Sequence, residues 1–391
     1  MTSAATREAP IPPGSWLGLL GGGQLGRMFC MAAQSLGYKV AVLDPGGDSP
    51  AGSVADRHVR ADYLDQAALA ELATFCRGAT TEFENVPAAA LAFLAGHLHV
   101  APGADAVAIA QDRIREKRFL AMHGFAVVPF AVLENPADVD AVDDTLFPGI
   151  LKTARFGYDG KGQVRVADRA QARTAFAAMR GAPAVLEKRI ELSREVSVIV
   201  ARDERNAAVA WPVAENRHRN GILDVSIAPA RVSATLADLA RERAMSVAQA
   251  LAYEGVLCVE MFVSTDGALL VNEIAPRPHN SGHYTIDACV TSQFEQQARI
   301  VAGLPLGATE QHTPAAMVNL LGDIWFDGPS AAPREPAWAH VLAHPRAKLH
   351  LYGKKEPRRG RKMGHVTCLG ATLGEALATA DAVKEELGIP S

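Results

Sequence analysis

The chain has little cysteine and no pairing pattern for what it has. Cys30, Cys76, Cys258, Cys289 and Cys368 are odd in number, and no two are close enough for a CxxC pair. Zinc-type spacing is therefore absent and a disulfide framework is not expected. The five read as reduced, mostly buried thiols of a cytoplasmic protein. No apolar run approaches the roughly 20 residues that span a bilayer. The first 14 residues lack the basic stretch and apolar core of a secretion signal and are expected to be a disordered lead-in. Internal repeats and low-complexity tracts are missing. An excess of one charge is missing too: Lys plus Arg is 39 against 43 for Asp plus Glu, a formal net charge of −4. A dedicated nucleic-acid binder usually carries a strong basic excess, so that class is excluded.

What the chain does have is apolar surface to bury. Of 391 residues, 49% are hydrophobic and 21% charged. That supports a sizeable core and, at roughly 100–200 residues per domain, two to four units. Trp16–Leu20 is a short apolar run ending in three glycines. Leu25, Met28, Phe29, Ala32 and Leu36 follow at helical spacing, and Tyr38–Leu43 reads as a second strand. This is a βαβ unit of a parallel sheet. A charged helix is predicted over 111–123 and strands at Phe147–Thr153, Gln163–Val166, Val185–Glu187 and Val196–Val200. An amphipathic helix is predicted over Leu239–Glu254. Val256–Val263 and Ala268–Ile274 read as a hairpin about Asp266-Gly267. Beyond Leu306 proline recurs among short strands, which suggests a small C-terminal domain.

Four constellations carry chemistry. Gly21-Gly22-Gly23-Gln24-Leu25-Gly26 satisfies G-x-G-x-x-G between a strand and a helix, and Asp44 ends the next strand. Glycines there let a backbone approach a phosphate at the positive end of a helix; a dinucleotide, another phosphate ligand and a bare tight turn all fit. Gly157-Tyr158-Asp159-Gly160-Lys161-Gly162-Gln163 lies between two predicted strands. Its N–H groups can close over phosphates, with Lys161 and the preceding Lys152 as point charges. The third pair is Glu260 with Glu273. If Asp266-Gly267 is a two-residue turn, Thr265 pairs with Ala268 and Glu260 falls opposite Glu273, with Cβ atoms about 4.5–5.5 Å apart. Two like charges among Cys258, Phe262 and Val271 are costly. A divalent cation resolves the conflict, since Mg²⁺ is commonly held by one or two carboxylates plus phosphate oxygens. The same parity puts Asn272 on the opposite face unless the strand bulges there. The fourth is the polar, turn-rich loop from Asn272 to His283. Arg277 can bind an anion bidentately in it, while His279 and His283 are open to functional or structural roles.

The segments GGGQLGRM, EFENV, GYDGKGQ, NEIAPRPHNSGH and HLYGKKEPRRGRKMGH occur in this order. Together they resemble the 5-(carboxyamino)imidazole ribonucleotide synthase family of the ATP-grasp superfamily, from Trp16 to Leu387. The resemblance implies an α/β (in part α+β) ATP-grasp fold. A Rossmann-like pre-ATP-grasp domain would cover residues 15–112, and a linker helix with a lid subdomain 113–187. A large subdomain would cover 188–306 and a small β-rich C-terminal domain 307–391. The implied reaction takes ATP, bicarbonate and 5-aminoimidazole ribonucleotide through carboxyphosphate to the N-carboxylated ribonucleotide, ADP and phosphate, in purine biosynthesis. Mg²⁺ would assist, with Mn²⁺ as substitute, in a cytoplasmic homodimer.

Carried over residue by residue, ATP would meet Arg113, Lys152, Gly157, Tyr158, Asp159, Gly160, Lys161, Gly162 and Gln163. It would also meet the hinge Glu187, Lys188, Arg189 and Ile190, then Glu195, His218, Asn272 and Glu273. Glu260 and Glu273 would hold the metal. The ribonucleotide would lie among Gly22, Gly23, Gln24, Leu25, Gly26, Glu84, Tyr158, Arg277, His279, Lys354, Arg358 and Arg361. Lys161, Tyr158, Asp159, Arg277 and His279 would serve catalysis. One departure is visible: Arg358-Arg359-Gly360-Arg361 stands where the family usually has Arg-Pro-Gly-Arg. The run 354–362 still carries six basic residues against one acid, a candidate anchor for one phosphate monoester. The alternatives are a formate-using ribonucleotide transformylase or related ligase, a non-catalytic nucleotide-binding module, and an NAD-dependent oxidoreductase suggested by the glycine turn and Asp44.

Overall fold

Short apolar runs separated by glycine and proline build three sheets, seen in a computed structural model that describes residues 9–155, 157, 162–328 and 332–390. The first contains β1 (Trp16–Leu20), β2 (Lys39–Leu43), β3 (Arg57–Val59), β4 (Cys76–Thr81) and β5 (His99–Val100), in the order β3-β2-β1-β4-β5. Every pairing in it is parallel. Helices cover both faces, so the central strand β1 is apolar: Leu17, Leu19 and Leu20 are fully buried. The helix Gln24–Ser35 starts directly from the glycine turn.

Residues 9–14, expected to belong to a disordered lead-in, are ordered. Ile11 donates its N–H to Ala302 (2.8 Å), and its carbonyl accepts from the Tyr38 hydroxyl (2.7 Å). Its side chain is buried in a slot that Gly78 leaves open; a Cβ on Gly78 would lie 3.1 Å from the Ile11 Cδ1. One isoleucine with a place to go outweighs the polar composition around it. Residues 1–8 lie outside the described part.

The second sheet is antiparallel, with β6 (Phe130–Leu133), β7 (Gly149–Thr153), β8 (Gln163–Val166) and β9 (Ala184–Lys188) in the order β6-β9-β7-β8. The third contains β10 (Leu192–Arg202), β11 (Ala208–Ala210), β12 (Ala214–Arg219), β13 (Ile222–Ala228), β14 (Gly255–Ser264), β15 (Leu269–Ala275), β16 (Ala315–Leu321), β17 (Ala347–Leu351) and β18 (Lys362–Leu369). Its order is β15-β14-β10-β12-β13-β16-β18-β17, with β11 on β10.

The C-terminal strands therefore do not form a sheet of their own. β16 pairs with β13, Val225 opposite Val318, and continues the sheet of the preceding region. The period of two explains it. Ala316, Val318 and Leu320 face a core under the helix Leu373–Glu386, while Ala315 and Met317 face the core around Tyr284 and Phe294. With both faces of β16 apolar, the strand is buried inside a larger sheet. The helix predicted over Leu239–Glu254 runs instead over Ala234–Ala250, because the Ser233 side chain caps it earlier. All five cysteines are unpaired and buried; burial pushes the thiols of Cys76, Cys289 and Cys368 up to about 12.

Ile11→Ala should lower the unfolding free energy by about 2–4 kcal/mol, read from urea denaturation. A change indistinguishable from zero would show that residues 9–14 are not anchored.

Candidate active site

The three sheets meet around a cavity of about 1540 Å³. Its floor is the β14–β15 hairpin, whose turn departs from the two-residue expectation. Gly267 N–H bonds to Ser264 C=O at 3.0 Å, and Ser264 N–H to Ala268 C=O at 3.0 Å. Three residues turn the chain, with Gly267 at φ 86°. Val263 then pairs with Leu269 and Met261 with Val271, one residue off the predicted register. A bulge follows at Asn272, after which Glu260 pairs with Glu273 as expected. The two one-residue departures cancel for the carboxylates. They do not cancel for Asn272, which the bulge turns into the cavity beside them. Asn272 is buried, and its Oδ1 has no hydrogen-bond partner.

Each carboxylate faces a different partner. Glu273 Oε2 accepts from Arg113 Nη2 at 2.9 Å, and Glu260 Oε1 lies 3.0 Å from His279 Nε2. Burial pushes the Glu273 carboxyl up, but Arg113 and then Lys152 outweigh it and hold the group ionised. The donor set fits a hard cation: two carboxylates and an orphaned amide oxygen. Cys258 also lies close to Glu260 and His279. Burial raises its thiol well above the ordinary value, and a hard cation prefers the oxygen donors beside it.

The helix Arg113–Met122 supplies the second wall. Asp112 caps it through Ile114 N–H and Arg115 N–H. Arg113, Glu116 and Lys117, spaced i, i+3 and i+4, all turn inward. Lys117 is fully buried, 3.2 Å from Glu187 Oε1; Lys152 Nζ of β7 takes Glu187 Oε2 at 2.7 Å. Burial pushes the Glu187 carboxyl up, and the two lysines hold it below the usual range instead. Glu116 Oε1 accepts from Ile274 N–H at 2.6 Å, and burial raises its carboxyl to about 7. Glu116 and Lys117 were missed at the level of sequence. Their only signal was charge spaced to fall on the buried side of a helix.

The remaining expected ATP contacts border the same cavity: Gly157, Gln163, Lys188, Arg189, Ile190, Glu195 and His218. Gly162 does not line it. Tyr158, Asp159, Gly160 and Lys161 lie outside the described residues. Glu195 Oε2 is 2.7 Å from His218 Nδ1. Burial alone would lower the His218 pKa, but the Glu195 carboxylate raises it.

On the other side, Arg277 forms an ion pair with Glu84 that crosses to the first sheet. His279 Nδ1 accepts from Ser281 N–H (3.3 Å) and lies 2.8 Å from Ser281 Oγ. Behind it runs a buried hydroxyl–amide chain: Ser226 Oγ to Asn216 Oδ1 (2.8 Å), Asn216 Nδ2 to Ser197 Oγ (2.9 Å), Ser197 Oγ to Ser281 Oγ (2.7 Å). With Nδ1 accepting, the neutral imidazole carries its proton on Nε2, toward Glu260.

The glycine turn is occupied already by a carboxyl group, whose pKa burial raises despite two N–H donors. Glu82 reaches across from the end of β4 and accepts from Gly23 N–H and Gly26 N–H, the latter at 2.8 Å. A Cβ on Gly23 would fall 2.4 Å from Glu82 Oε1. This carboxyl group sits where a dinucleotide reading places the pyrophosphate. Asp44, the expected ribose partner, accepts from Tyr63 Oη (2.7 Å) and Gly46 N–H (2.8 Å). The NAD alternative fails on both counts. Glu82 opens the segment EFENV, and nothing in that segment signals that its carboxyl group reaches the turn.

The basic segment is only partly gathered. Lys354 Nζ donates to Gln24 Oε1 at 2.7 Å and Lys362 C=O at 2.6 Å, tying the C-terminal region to the glycine turn. Arg358 pairs with Glu356 at 2.7 Å in the open, and Arg361 donates to Glu356 C=O at 2.7 Å. Lys362 lines the large cavity, while Lys354, Arg358, Arg361 and residues Gly22–Gly26 do not.

An antiparallel lid sheet, a larger sheet bearing paired carboxylates, and buried lysines between them define an ATP-grasp enzyme. Comparison with family models agrees. Residues 15–111 match a ribonucleotide synthetase preATP-grasp domain and residues 118–294 an ATP-grasp domain. Residues 315–379 match a phosphoribosylaminoimidazole carboxylase C-terminal domain.

The chain belongs to the N5-carboxyaminoimidazole ribonucleotide synthase family. It is 49% identical to the synthase of Brucella melitensis biotype 1 over 92% of this chain and 98% of the relative. It is 44% identical to that of Bacillus subtilis strain 168, over 91% and 92% respectively. The structure of a synthetase in complex with ADP superposes with a TM-score of 0.88 at 41% identity, covering 98% of both chains. An Aspergillus clavatus synthase holding ADP and the aminoimidazole ribonucleotide superposes at 0.86 and 32% identity, covering 96% and 98%.

Glu187→Gln strands two buried lysines. It should cost about 3–5 kcal/mol in denaturant unfolding, and adding Lys117→Met should recover part of the loss. Wild-type stability in the single variant would remove Glu187 from the centre of this charge balance.

Proposed function

We propose that this chain carboxylates the exocyclic amine of 5-aminoimidazole ribonucleotide at the expense of ATP and bicarbonate, in purine biosynthesis. The products are the N-carboxylated ribonucleotide, ADP and phosphate. Its family membership supports this. The observation that carries it is the cavity itself: Arg113 and Lys152 face Glu260, Asn272 and Glu273 within one enclosure, with Lys117 buried behind Glu187. Phosphoryl transfer asks for positioning and charge neutralisation more than covalent chemistry, and this set supplies both.

Lys152 and Arg113 would steady the ATP phosphates, with Lys161 of the glycine-rich loop joining them. Glu195 would accept from the ribose hydroxyls, and its pairing with His218 orients it. Glu260 and Glu273, with Asn272 beside them, would hold Mg²⁺, which neutralises charge on the phosphate oxygens. Bicarbonate attacks the γ-phosphate to give carboxyphosphate. That intermediate hydrolyses readily, so water must be kept out, a task suited to the loop 157–163. The ribonucleotide amine then takes the carboxyl group near Arg277 and His279. Its phosphate would lie toward the glycine turn, where Lys354 already meets Gln24. A cytoplasmic homodimer rests on the family likeness.

ADP release should require bicarbonate and rise on adding the ribonucleotide; no ribonucleotide-dependent turnover would refute the assignment. Glu273→Gln should abolish turnover by weakening the metal site, whereas near-normal rates would exclude that role. Lys354→Met should raise the ribonucleotide KM roughly tenfold or more with little change for ATP. Equal shifts in both would place Lys354 outside the phosphate site.

A further inference from the structure

The helix Gln293–Ala302 carries three buried amides, Gln293, Gln296 and Gln297. A buried amide must find partners for every donor and acceptor it can. Gln293 finds them on one residue. Its Oε1 accepts from His279 N–H at 2.8 Å, and its Nε2 donates to His279 C=O at 2.8 Å. Backbone polarity leaves no choice in the amide's orientation, since N–H only donates and C=O only accepts.

The second Nε2 hydrogen meets His283 Nδ1 at 3.2 Å. That nitrogen must accept, so the His283 proton sits on Nε2. An imidazolium there would set two donors face to face. His283 is fully buried, and burial holds its pKa well below the ordinary value. Gly282 makes the approach possible, because a Cβ there would fall 2.7 Å from Gln293 Oε1.

We propose that Gln293 is a positioning residue for the reaction, holding both main-chain polar groups of His279 so that its ring stays aimed at Glu260. The ring is held separately, through Ser281 at Nδ1 and Glu260 at Nε2. Without the main-chain clamp, the loop can rotate and carry the imidazole off the carboxylate. Gln296 is the internal control. It closes in the same two-ended way on Gly307, with N–H at 2.8 Å and C=O at 3.1 Å. Gly307 does not line the cavity.

The inference rests on the proposed role of His279, and the test separates the two. Gln293→Met, Gln296→Met, His279→Ala and the double variant His279→Ala/Gln293→Met are assayed well below their melting temperatures. Gln293→Met is expected to lower kcat by about 10- to 100-fold with the ATP KM little moved. Gln296→Met should lose comparable stability and keep its kcat. The double variant should be no slower than His279→Ala, because Gln293 acts through His279. If Gln293→Met does not fold, Gln293→Glu replaces it. Glu keeps the acceptor for His279 N–H but sets a carboxylate against His279 C=O, so kcat should again fall. Normal kcat in the folded Gln293 variant beside an impaired His279→Ala overturns the inference alone. Normal turnover in His279→Ala overturns the role of His279, and the inference with it.

Discussion

Glu187 lies between two lysines in a place water barely reaches, and the cavity takes its shape from that arrangement. Lys117 comes from the helix Arg113–Met122, Lys152 from β7 and Glu187 from β9. The same helix sends Arg113 to Glu273 and Glu116 to the Ile274 amide of β15. Buried charges are tolerated only when paired, and removing one partner is expensive. The lid sheet, the helix and the large sheet therefore cannot be placed independently. A wall presenting Arg113 and Lys152 results, backed by the buried Lys117 and facing a floor that ends in two carboxylates. That is a setting for a polyphosphate with a divalent cation.

The glycine turn shows how little a local motif decides about its ligand. GGGQLG builds a strand–turn–helix with exposed N–H groups, as its composition dictates. Glu82, 56 residues beyond Gly26, then fills the anion position. The turn becomes a joint between β4 and the first helix, and Lys354 adds a third strut through Gln24. The same residues that suggest a dinucleotide site in isolation serve as scaffold once the sheet is assembled.

Much of the site was legible because function imposes composition. Two carboxylates cannot sit on one apolar strand pair without a reason, so Glu260 and Glu273 stood out. Their pairing was reached through a turn one residue too short. The actual turn holds three residues, and the bulge at Asn272 restores the register. Such compensation has no sequence signature. The bulge also explains Asn272, which strict alternation sends to the wrong face. Lys117 and Glu116 were invisible for a related reason: a charged helix reads as solvated until its neighbours are known. Gln293 was equally silent, as one of several glutamines on an amphipathic segment.

By itself the sequence determined the element types, the parallel character of the first sheet, the carboxylate pair and the family. These follow from periodicity, glycine placement and residue chemistry, which act locally or through motifs of fixed spacing. Only the tertiary structure decided that the C-terminal strands extend the large sheet, that Ile11 is anchored and that Glu82 occupies the glycine turn. It alone brought Lys354 to Gln24 and left Arg358 and Arg361 apart from the main cavity. The physical reason is common to all of them. Burial and charge pairing are satisfied between residues far apart in the chain, and the partner that satisfies them cannot be read at either end alone.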